Sequence, residues 1–200
     1  MGLENPFRMS LLVLLAMMFA ITAYHRIRAR AAGGSVSRRA EGFLLLAMRA
    51  VFGLSTWIAI IAYLVSPGSM AWSALPAADW LRWGGMGLGL LACGILYWTL
   101  HHLGKNLTDT VVTRPEATLV SSGPYRWVRH PFYVTVLLLL LSASLITANW
   151  FIGLLSIFIC AFFVLRTPLE ERKLVERFGD DYRAYMTRTG RFLPRLTSRR

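Results

Sequence analysis

Long runs of apolar residues alternate with cation-rich polar stretches along this 200-residue chain. Three of the runs, at residues 9–24, 43–65 and 83–100, come close to the roughly 20 residues that a helix needs to cross the hydrocarbon core of a bilayer. Arg49 is the only charged residue within these three runs. Because a backbone in lipid must satisfy its own hydrogen bonds, each run predicts one membrane-spanning helix.

A fourth run, residues 131–165, is too long for a single crossing. Its 35 residues contain no charge. As one helix they would extend about 52 Å, well beyond the thickness of a bilayer core. The polar step at residues 147–150 is the only break near the middle of the run. We therefore predict a tight helical hairpin with Trp150 at the membrane interface, and an all-α integral membrane protein with five transmembrane helices.

The first run could instead be a signal peptide. Arg8 would then be its basic segment, and the small residues at 29–32 would form its cleavage site. The cationic stretch 26–30 argues against this alternative, because translocated segments rarely begin with such charge. We interpret the first run as a span.

The composition agrees with a membrane protein. The mean hydropathy is +0.50, with 56% hydrophobic and only 16% charged residues, which excludes a disordered, collagen-like or disulfide-stapled chain. Cys93 and Cys160 both lie within apolar runs. A thiol in such a run behaves as a small buried hydrophobe, so we expect neither a disulfide nor a metal–thiolate cluster.

The distribution of charge predicts the orientation in the membrane. The net charge is +12, and 19 of the 22 lysines and arginines lie in residues 25–42, 101–130 and 166–200. Five spans place these three segments on one side, which the positive-inside rule identifies as the cytoplasm. We therefore predict an outside N-terminus and a cytoplasmic C-terminus, in the inner membrane of a bacterium or the endoplasmic reticulum of a eukaryote. The basic excess indicates a membrane face in contact with lipid, not a nucleic-acid-binding surface.

Two cytoplasmic segments are longer than a connection requires. The first ends in a Gly123-Pro124 turn signal and in Pro131, which suits the first position of the fourth span. The second begins at Arg166, and its apolar residues then recur at helical spacing, with Gly179-Asp180 as a stop and restart. This spacing predicts two short amphipathic helices whose basic outer face lies on anionic lipid. The recurring apolar residues are Leu174, Phe178, Tyr182, Tyr185 and Met186.

The predicted hairpin brings the start of the fourth span beside the end of the fifth. Polar and aromatic residues should therefore converge at the boundary between water and lipid: Tyr125, Arg129, His130, Tyr133, Arg166 and Glu170. Simpler interpretations remain open for some of them. Glu170 and Glu171 could pair with neighbouring cations of their own helix, and Arg166 could be an anchor that extends to the interface.

Several of these motifs, taken in order, resemble the isoprenylcysteine carboxyl methyltransferase family and its phospholipid methyltransferase relatives. The resemblance covers about half of the chain, residues 103–194, and gives no assignment for the first two spans. Its motifs are Gly123-Pro124-Tyr125, Arg129-His130-Pro131-Phe132-Tyr133, Arg166, Glu170-Glu171, residues 178–182, Tyr185 and Arg191-Phe192-Leu193-Pro194.

The resemblance implies an integral membrane enzyme that transfers a methyl group from S-adenosylmethionine (SAM) to a lipophilic acceptor. It divides the chain into an N-terminal three-span region, 1–100, and a catalytic region, 101–200. It also implies that Arg166 holds a carboxylate of the acceptor and that Arg166, Glu170 and His130 form the catalytic set, without a metal. In eukaryotic members a histidine often precedes the Thr-Leu-Val run, whereas this chain has Ala117 before Thr118-Leu119-Val120. The implied cofactor-binding residues are Thr118, Leu119, Val120, Tyr125, His130, Pro131, Phe132, Tyr133 and Glu170.

The chemistry of methyl transfer leaves two acceptor classes open. A carboxylate is already a nucleophile at neutral pH and needs only orientation, for which Arg166 is suited. An amine would have to lose a proton, and Glu170, Glu171 or His130 would be the available bases. Two other functions remain alternatives: a sterol-type membrane reductase using NADPH, and a non-enzymatic membrane or transport subunit supported by Arg49.

Two further patterns have simpler explanations than a ligand site. The glycine-rich run 84–89 lies inside an uncharged span with no strand before it, so it predicts close helix packing, not a nucleotide-binding loop. His101-His102 has no further ligand at metal-binding spacing and is expected to form interfacial hydrogen bonds.

Overall fold

The computed structural model describes residues 5–31, 43–104 and 118–195, and this part of the chain is helical. Two short 3₁₀ turns, Pro67–Ser73 and Gly123–Arg126, precede α3 and α4, and the only β pairing among the described residues is two isolated bridges. The α-helices are α1 (Pro6–Ala31), α2 (Phe43–Val65), α3 (Asp79–Leu103), α4 (Pro131–Thr147), α5 (Trp150–Phe178) and α6 (Asp180–Arg188).

Each predicted apolar run forms a helix. The run 43–65 coincides with α2, whereas α1 and α3 extend beyond their runs at both ends, so the cations at 26–30 lie within α1. Four helices, α1, α2, α3 and α5, are long and apolar enough to cross a membrane. The helix α4 is equally apolar but has only 17 residues. The protein is therefore an integral membrane protein whose described part is all-helical, with about four helices of spanning length.

The predicted hairpin between α4 and α5 is confirmed. The helix α4 ends at Thr147, Ala148 adopts a left-handed conformation with φ of 46°, and α5 begins at Trp150. Asn149 lies in the turn and caps α5, because its Oδ1 accepts a hydrogen bond of 3.1 Å from the backbone N–H of Ile152. The Asn149 amide also donates to Ser73 Oγ at 2.7 Å, which joins the turn to the segment that follows α2.

The glycine-rich run packs α3 against α4, as predicted. A Cβ on Gly85 would lie 2.7 Å from Leu145 Cβ, and one on Gly89 would lie 2.5 Å from Ser142 Oγ. The Ser142 hydroxyl also donates a 2.7 Å hydrogen bond to the Gly85 carbonyl. At Gly85 the backbone of α4 approaches too closely for a side chain, since a Cβ would also lie 3.1 Å from the Ile146 nitrogen. At Gly89 the space is filled by the side chains of Ser142 and of Leu14 on α1.

The principal apolar core lies at the end of the bundle where α4 turns into α5. It contains residues from the first half of α1 and the second half of α2, such as Leu11 and Ile60, together with Ile146 and Ile152 around the turn. The buried charged side chains of Arg166 and Glu171, together with His130, lie toward the opposite end of the bundle.

Two arginines at the core end of the bundle bind the last turns of neighbouring helices. Arg8 donates to the carbonyl of Leu64 in the last turn of α2, and Arg82 donates to the carbonyl of Ile146 in the last turn of α4, at 2.9 Å. The last carbonyls of a helix lack intrahelical partners and carry partial negative charge, so a guanidinium there is favourable. Arg82 also lies 3.7 Å above the ring of Phe7.

The prediction of two separate amphipathic helices after Leu165 is wrong in part. Gly179 does end one helix and Asp180 begins the next, α6. However, the first of the predicted pair is the continuation of α5, which runs through Pro168 without ending. Proline removes one hydrogen bond from the helix ladder and crowds the preceding turn. Glu171, three residues later, is hydrogen-bonded to Arg129 and Arg191, which supports the helix beyond the proline.

Substitution of Gly85 tests the contact between α3 and α4. We expect Gly85→Ala to lower stability by about 1–3 kcal/mol, because the added methyl group would overpack a backbone contact. Gly84→Ala is the matched control, since a Cβ on Gly84 meets nothing within 4 Å. Thermal unfolding in detergent measures both variants. Equal melting temperatures would contradict the packing described here.

Candidate active site

The candidate site lies at the end of the bundle opposite the core, where four pieces of chain meet. These are the turn and first residues of α4, the last third of α5, the helix α6, and the segment 189–192 that follows it. Pro131 is the first residue of α4, as predicted, because its missing N–H has no role in the first turn of a helix. His130 directly precedes it and is buried.

A buried carboxylate, Glu171, joins these pieces. Its Oε1 accepts hydrogen bonds from Arg129 Nε at 2.8 Å and from His130 Nε2 at 3.3 Å. Its Oε2 accepts two more from Arg191, at 3.1 Å from Nε and 2.5 Å from Nη2. Glu171 is only 4% exposed. Burial of a carboxylate is costly unless it is paired and hydrogen-bonded, and both oxygens of Glu171 meet that condition.

Backbone hydrogen bonds hold the segment 189–192 against the entry to α4. The N–H groups of Arg129 and His130 donate to the carbonyls of Gly190 and Arg191, at 2.8 and 3.1 Å. The Gly190 N–H donates in return to the carbonyl of Trp127 at 3.1 Å. The end of the described chain is therefore paired directly with the residues on which the site is built.

Two pairs of stacked aromatic rings lie beside Glu170. The rings of His130 and Tyr133 are stacked, with centroids 5.4 Å apart and planes 8° apart. Tyr133 also stacks on Phe163 of α5, at 4.3 Å. The Tyr133 hydroxyl donates to Glu170 Oε2, and Glu170 itself remains half-buried. A carboxylate with unused acceptor capacity thus lies next to two aromatic rings.

Three tyrosines form the other wall of this region. The Tyr185 hydroxyl donates to the Tyr125 carbonyl at 2.5 Å, which fixes α6 on the turn before α4. Burial raises the pKa of Tyr185 to about 12, although Arg129 and a hydrogen bond with Thr189 oppose the rise. Burial likewise raises the pKa of Tyr125 and of Tyr182. All three phenols are therefore neutral near pH 7, so they can donate hydrogen bonds but do not act as bases.

Arg166 lies on α5 one turn before Glu170 and is only 8% exposed. A side chain buried to this degree does not extend along the helix to the membrane interface, so the structure disfavours the interpretation of Arg166 as an anchor. A buried guanidinium instead favours an anionic group beside it.

The structure brings together most of the residues singled out in the sequence, but not all of them. Phe132 is exposed, and its only ring contact among the described residues is with Tyr133. Thr118 is exposed, and Leu119 and Val120 are half-buried at the start of a described segment. Their role in cofactor binding remains a prediction. Ala117 lies outside the described residues.

Sequence reasoning underestimated Glu171 and Arg191. It considered Glu171 as a partner for cations of its own helix, whereas the structure pairs it with Arg129, 42 positions earlier, and with Arg191, 20 positions later. The signal was present in the adjacency of the two acids. Neighbouring residues on a helix point about 100° apart, so Glu170 and Glu171 had to face different surroundings.

No group of three or more histidine, cysteine or acidic side chains suited to a metal ion occurs among residues 5–31, 43–104 and 118–195. The site offers carboxylate, imidazole, guanidinium and aromatic groups. Such groups can bind a molecule that carries separate positive and negative charges and an apolar part.

Gly190 tests whether the segment 189–192 is required where it is. A Cβ at this position would lie 1.7 Å from the Leu193 carbonyl oxygen. Gly190→Ala must therefore move the backbone and break the pairing with Arg129 and His130. We expect trypsin to cleave the C-terminal segment about tenfold faster, which corresponds to about 1.4 kcal/mol of easier local opening. Gly94→Ala, where a Cβ meets nothing within 4 Å, is the control. An unchanged cleavage rate in Gly190→Ala would be inconsistent with this contact.

Comparison with known proteins shows that part of the chain is similar to one protein family. Residues 85–176 match the model of the isoprenylcysteine carboxyl methyltransferase (ICMT) family. The protein-S-isoprenylcysteine O-methyltransferase of Rattus norvegicus is 28% identical over 147 residues, which are 72% of this chain and 50% of the rat protein. Methanethiol S-methyltransferase 1 of Bradyrhizobium diazoefficiens is 31% identical over 97 residues, 48% of this chain and 32% of that protein.

The fold is also similar to a solved structure. The eukaryotic intramembrane Ras methyltransferase ICMT matches with a TM-score of 0.62 and 21% identity, over 96% of this chain and 69% of the other. The chain spans about half the length of the curated relatives that it matches. The resemblance predicted from the motifs is confirmed: residues 85–176 of this chain are similar to the isoprenylcysteine carboxyl methyltransferase family.

Proposed function

We propose that this protein is an integral membrane methyltransferase that uses SAM to methylate a carboxylate on a lipophilic molecule. The observation that carries the proposal is the placement of Glu170 beside the His130–Tyr133 stack, with the buried Arg166 one turn away on α5. A polar cofactor and an acceptor with a lipid-soluble tail could meet at such a boundary between helix bundle and water.

The residues of the site fit SAM by their chemistry. SAM carries a sulfonium and an α-ammonium, and supplies an electrophilic methyl group when bound. Glu170 offers a carboxylate to one of the positive groups or to the ribose hydroxyls, and the faces of Tyr133 and His130 suit a cation that has lost its water. The phenols of Tyr125, Tyr182 and Tyr185 on the adjoining wall are neutral near pH 7, so they add no negative charge to the site.

Arg166 supports a carboxylate as the acceptor group. A carboxylate needs no base, so the contribution of the chain is to hold it in line with the methyl group and to exclude water. A guanidinium is the side chain best suited to hold a carboxylate by two parallel hydrogen bonds. The rat relative is named for an isoprenylcysteine O-methyl transfer and the Bradyrhizobium relative for a thiol. Acceptors therefore differ among the relatives, and Arg166 favours the acid here.

We propose that α4 also crosses the bilayer, which gives five spans with the N-terminus outside and the C-terminus in the cytoplasm. The opposite ends of the bundle support this orientation. The core end holds only Arg8 and Arg82 among the described cations, and both donate to helix carbonyls. The site end holds exposed cations of α6, such as Arg183 and Arg188, which suit anionic lipid. Residues 101–200 would then form the catalytic region, in which α4 packs against α3.

Direct binding of SAM tests the cofactor assignment. We expect Glu170→Gln and His130→Ala to weaken SAM binding at least about tenfold, since each removes a polar contact worth about 1.5–3 kcal/mol with a charged group. Isothermal titration of the protein in nanodiscs measures this. Glu176→Gln, an exposed acid on the same helix, is the control. Absence of binding by the wild type would refute the function, whereas equal binding by all variants would refute only the site.

Turnover of matched acceptors tests the role of Arg166. With labelled SAM, we expect an S-prenylated cysteine with a free carboxylate to be methylated, and its prenylated amine analogue to be methylated poorly. Arg166→Ala should lower kcat/KM for the acid about 100-fold, a loss of about 3 kcal/mol, without changing the affinity for SAM. Arg177→Ala, which removes an exposed cation from the same helix, should leave turnover unchanged. Undiminished turnover by Arg166→Ala would remove the preference for a carboxylate.

A further inference from the structure

The two adjacent acids of α5 have separate surroundings. Glu170 is half-buried and accepts one hydrogen bond, from the Tyr133 hydroxyl. Glu171 is buried and accepts four hydrogen bonds from Arg129, His130 and Arg191. Since its oxygens are already occupied by groups of this chain, Glu171 is poorly placed to bind a cofactor. Its contribution must pass through the residues it holds.

The charge state of Glu171 follows from its partners. Three of the four donors are N–H groups of two guanidiniums, Arg129 and Arg191, which stay protonated in proteins. Opposite charges at this distance, together with hydrogen bonds to the charged form, keep a carboxyl group ionised. Glu171 therefore has no proton to donate and can only accept.

This restricts the protonation of His130. A hydrogen bond between His130 Nε2 and an ionised carboxylate at 3.3 Å requires that the proton lie on Nε2. In a neutral imidazole the other nitrogen, Nδ1, then carries a lone pair. The ring is stacked on Tyr133 and lies beside Phe192, with centroids 5.4 and 6.0 Å away, and these contacts support the observed orientation of the imidazole.

We propose that Glu171 is a positioning residue that holds His130 in the Nε2–H tautomer, so that Nδ1 is presented to the active site as a hydrogen-bond acceptor. The ligand group that Nδ1 would recognise is a donor, such as an ammonium or a hydroxyl group. This identification of the ligand rests on the proposed function, whereas the tautomer itself does not.

The tautomer can be measured without any ligand. Two-bond proton–nitrogen correlation spectra of the full-length protein in nanodiscs, with ¹⁵N-labelled histidine, distinguish protonated from unprotonated ring nitrogens. The His130 signals are assigned by their loss in His130→Ala. We expect a protonated Nε2 and an unprotonated Nδ1 at pH 7.5 in the wild type. In Glu171→Gln, we expect the Nδ1–H form or a mixture, because a glutamine amide can also donate to Nε2. An unchanged pattern in Glu171→Gln would overturn the proposal.

Arg191→Gln separates this effect from a loss of structure. It removes the hydrogen bonds between Arg191 and Glu171 but keeps those to Arg129 and His130. We expect Arg191→Gln to retain the Nε2–H pattern even where it loosens the C-terminal segment. If it changed the pattern as Glu171→Gln does, the effect would be one of general disorder and the proposal would fail.

A second pair of variants leaves Glu171 intact, which matters if Glu171→Gln does not fold. Asparagine can place an acceptor near the position of Nδ1, whereas glutamine reaches the position of Nε2. We expect His130→Asn to bind SAM at least about tenfold more tightly than His130→Gln. Equal affinities, or the reverse order, would overturn the role of Nδ1. If the wild type did not bind SAM, the proposed function would fail while the tautomer measurement still stood.

Discussion

A carboxylate enclosed by two guanidiniums and an imidazole organises the site end of this molecule. Glu171 is carried by α5, Arg129 and His130 precede α4, and Arg191 follows α6. Removal of one member of a buried ion pair typically costs about 3–5 kcal/mol, because the remaining charge is left without a partner. The three pieces of chain therefore form the site together. The same arrangement satisfies Glu171 from within the protein and leaves Glu170 available for a ligand.

The transmembrane bundle supplies the frame in which this contact can form. Close packing of α3 on α4 at Gly85 and Gly89 fixes the position of α4, and the turn capped by Asn149 fixes α5 beside it. The core at the turn end aligns the two helices from one side only. At their far ends, the Tyr133–Phe163 stack and the hydrogen bonds of Glu171 join the two helices to each other and to the segment after α6.

Much of the fold could be predicted because a backbone in lipid must satisfy its own hydrogen bonds, so each long apolar run has to form a helix. Residues 131–165 had to fold back on themselves, and the polar step at 147–150 was the only place to do so. The continuation of α5 through Pro168 could not be predicted in the same way. Local propensity favours a helix end there, whereas the long-range hydrogen bonds of Glu171 support the helix beyond the proline.

The candidate site was partly predictable for a related reason. Tyr133 and Glu170 belong to motifs within short reach of the hairpin, so a hairpin alone brings them together. The pairing of Glu171 with Arg191 depends on how Gly179 redirects the chain between α5 and α6, with φ of 56°. No pattern of hydrophobic and polar residues encodes that change of direction, and the long-range partner was therefore invisible to it.

The arginines at the core end have a consequence for how charge is counted in such proteins. Arg8 and Arg82 each lie against the final carbonyls of a helix, where the partial negative charge of the helix end compensates a full positive one. In the folded protein, these two cations therefore present less charge to the membrane surface than their formal value. In the proposed topology, the outer surface of the folded protein is thus closer to electrically neutral than the sequence suggests.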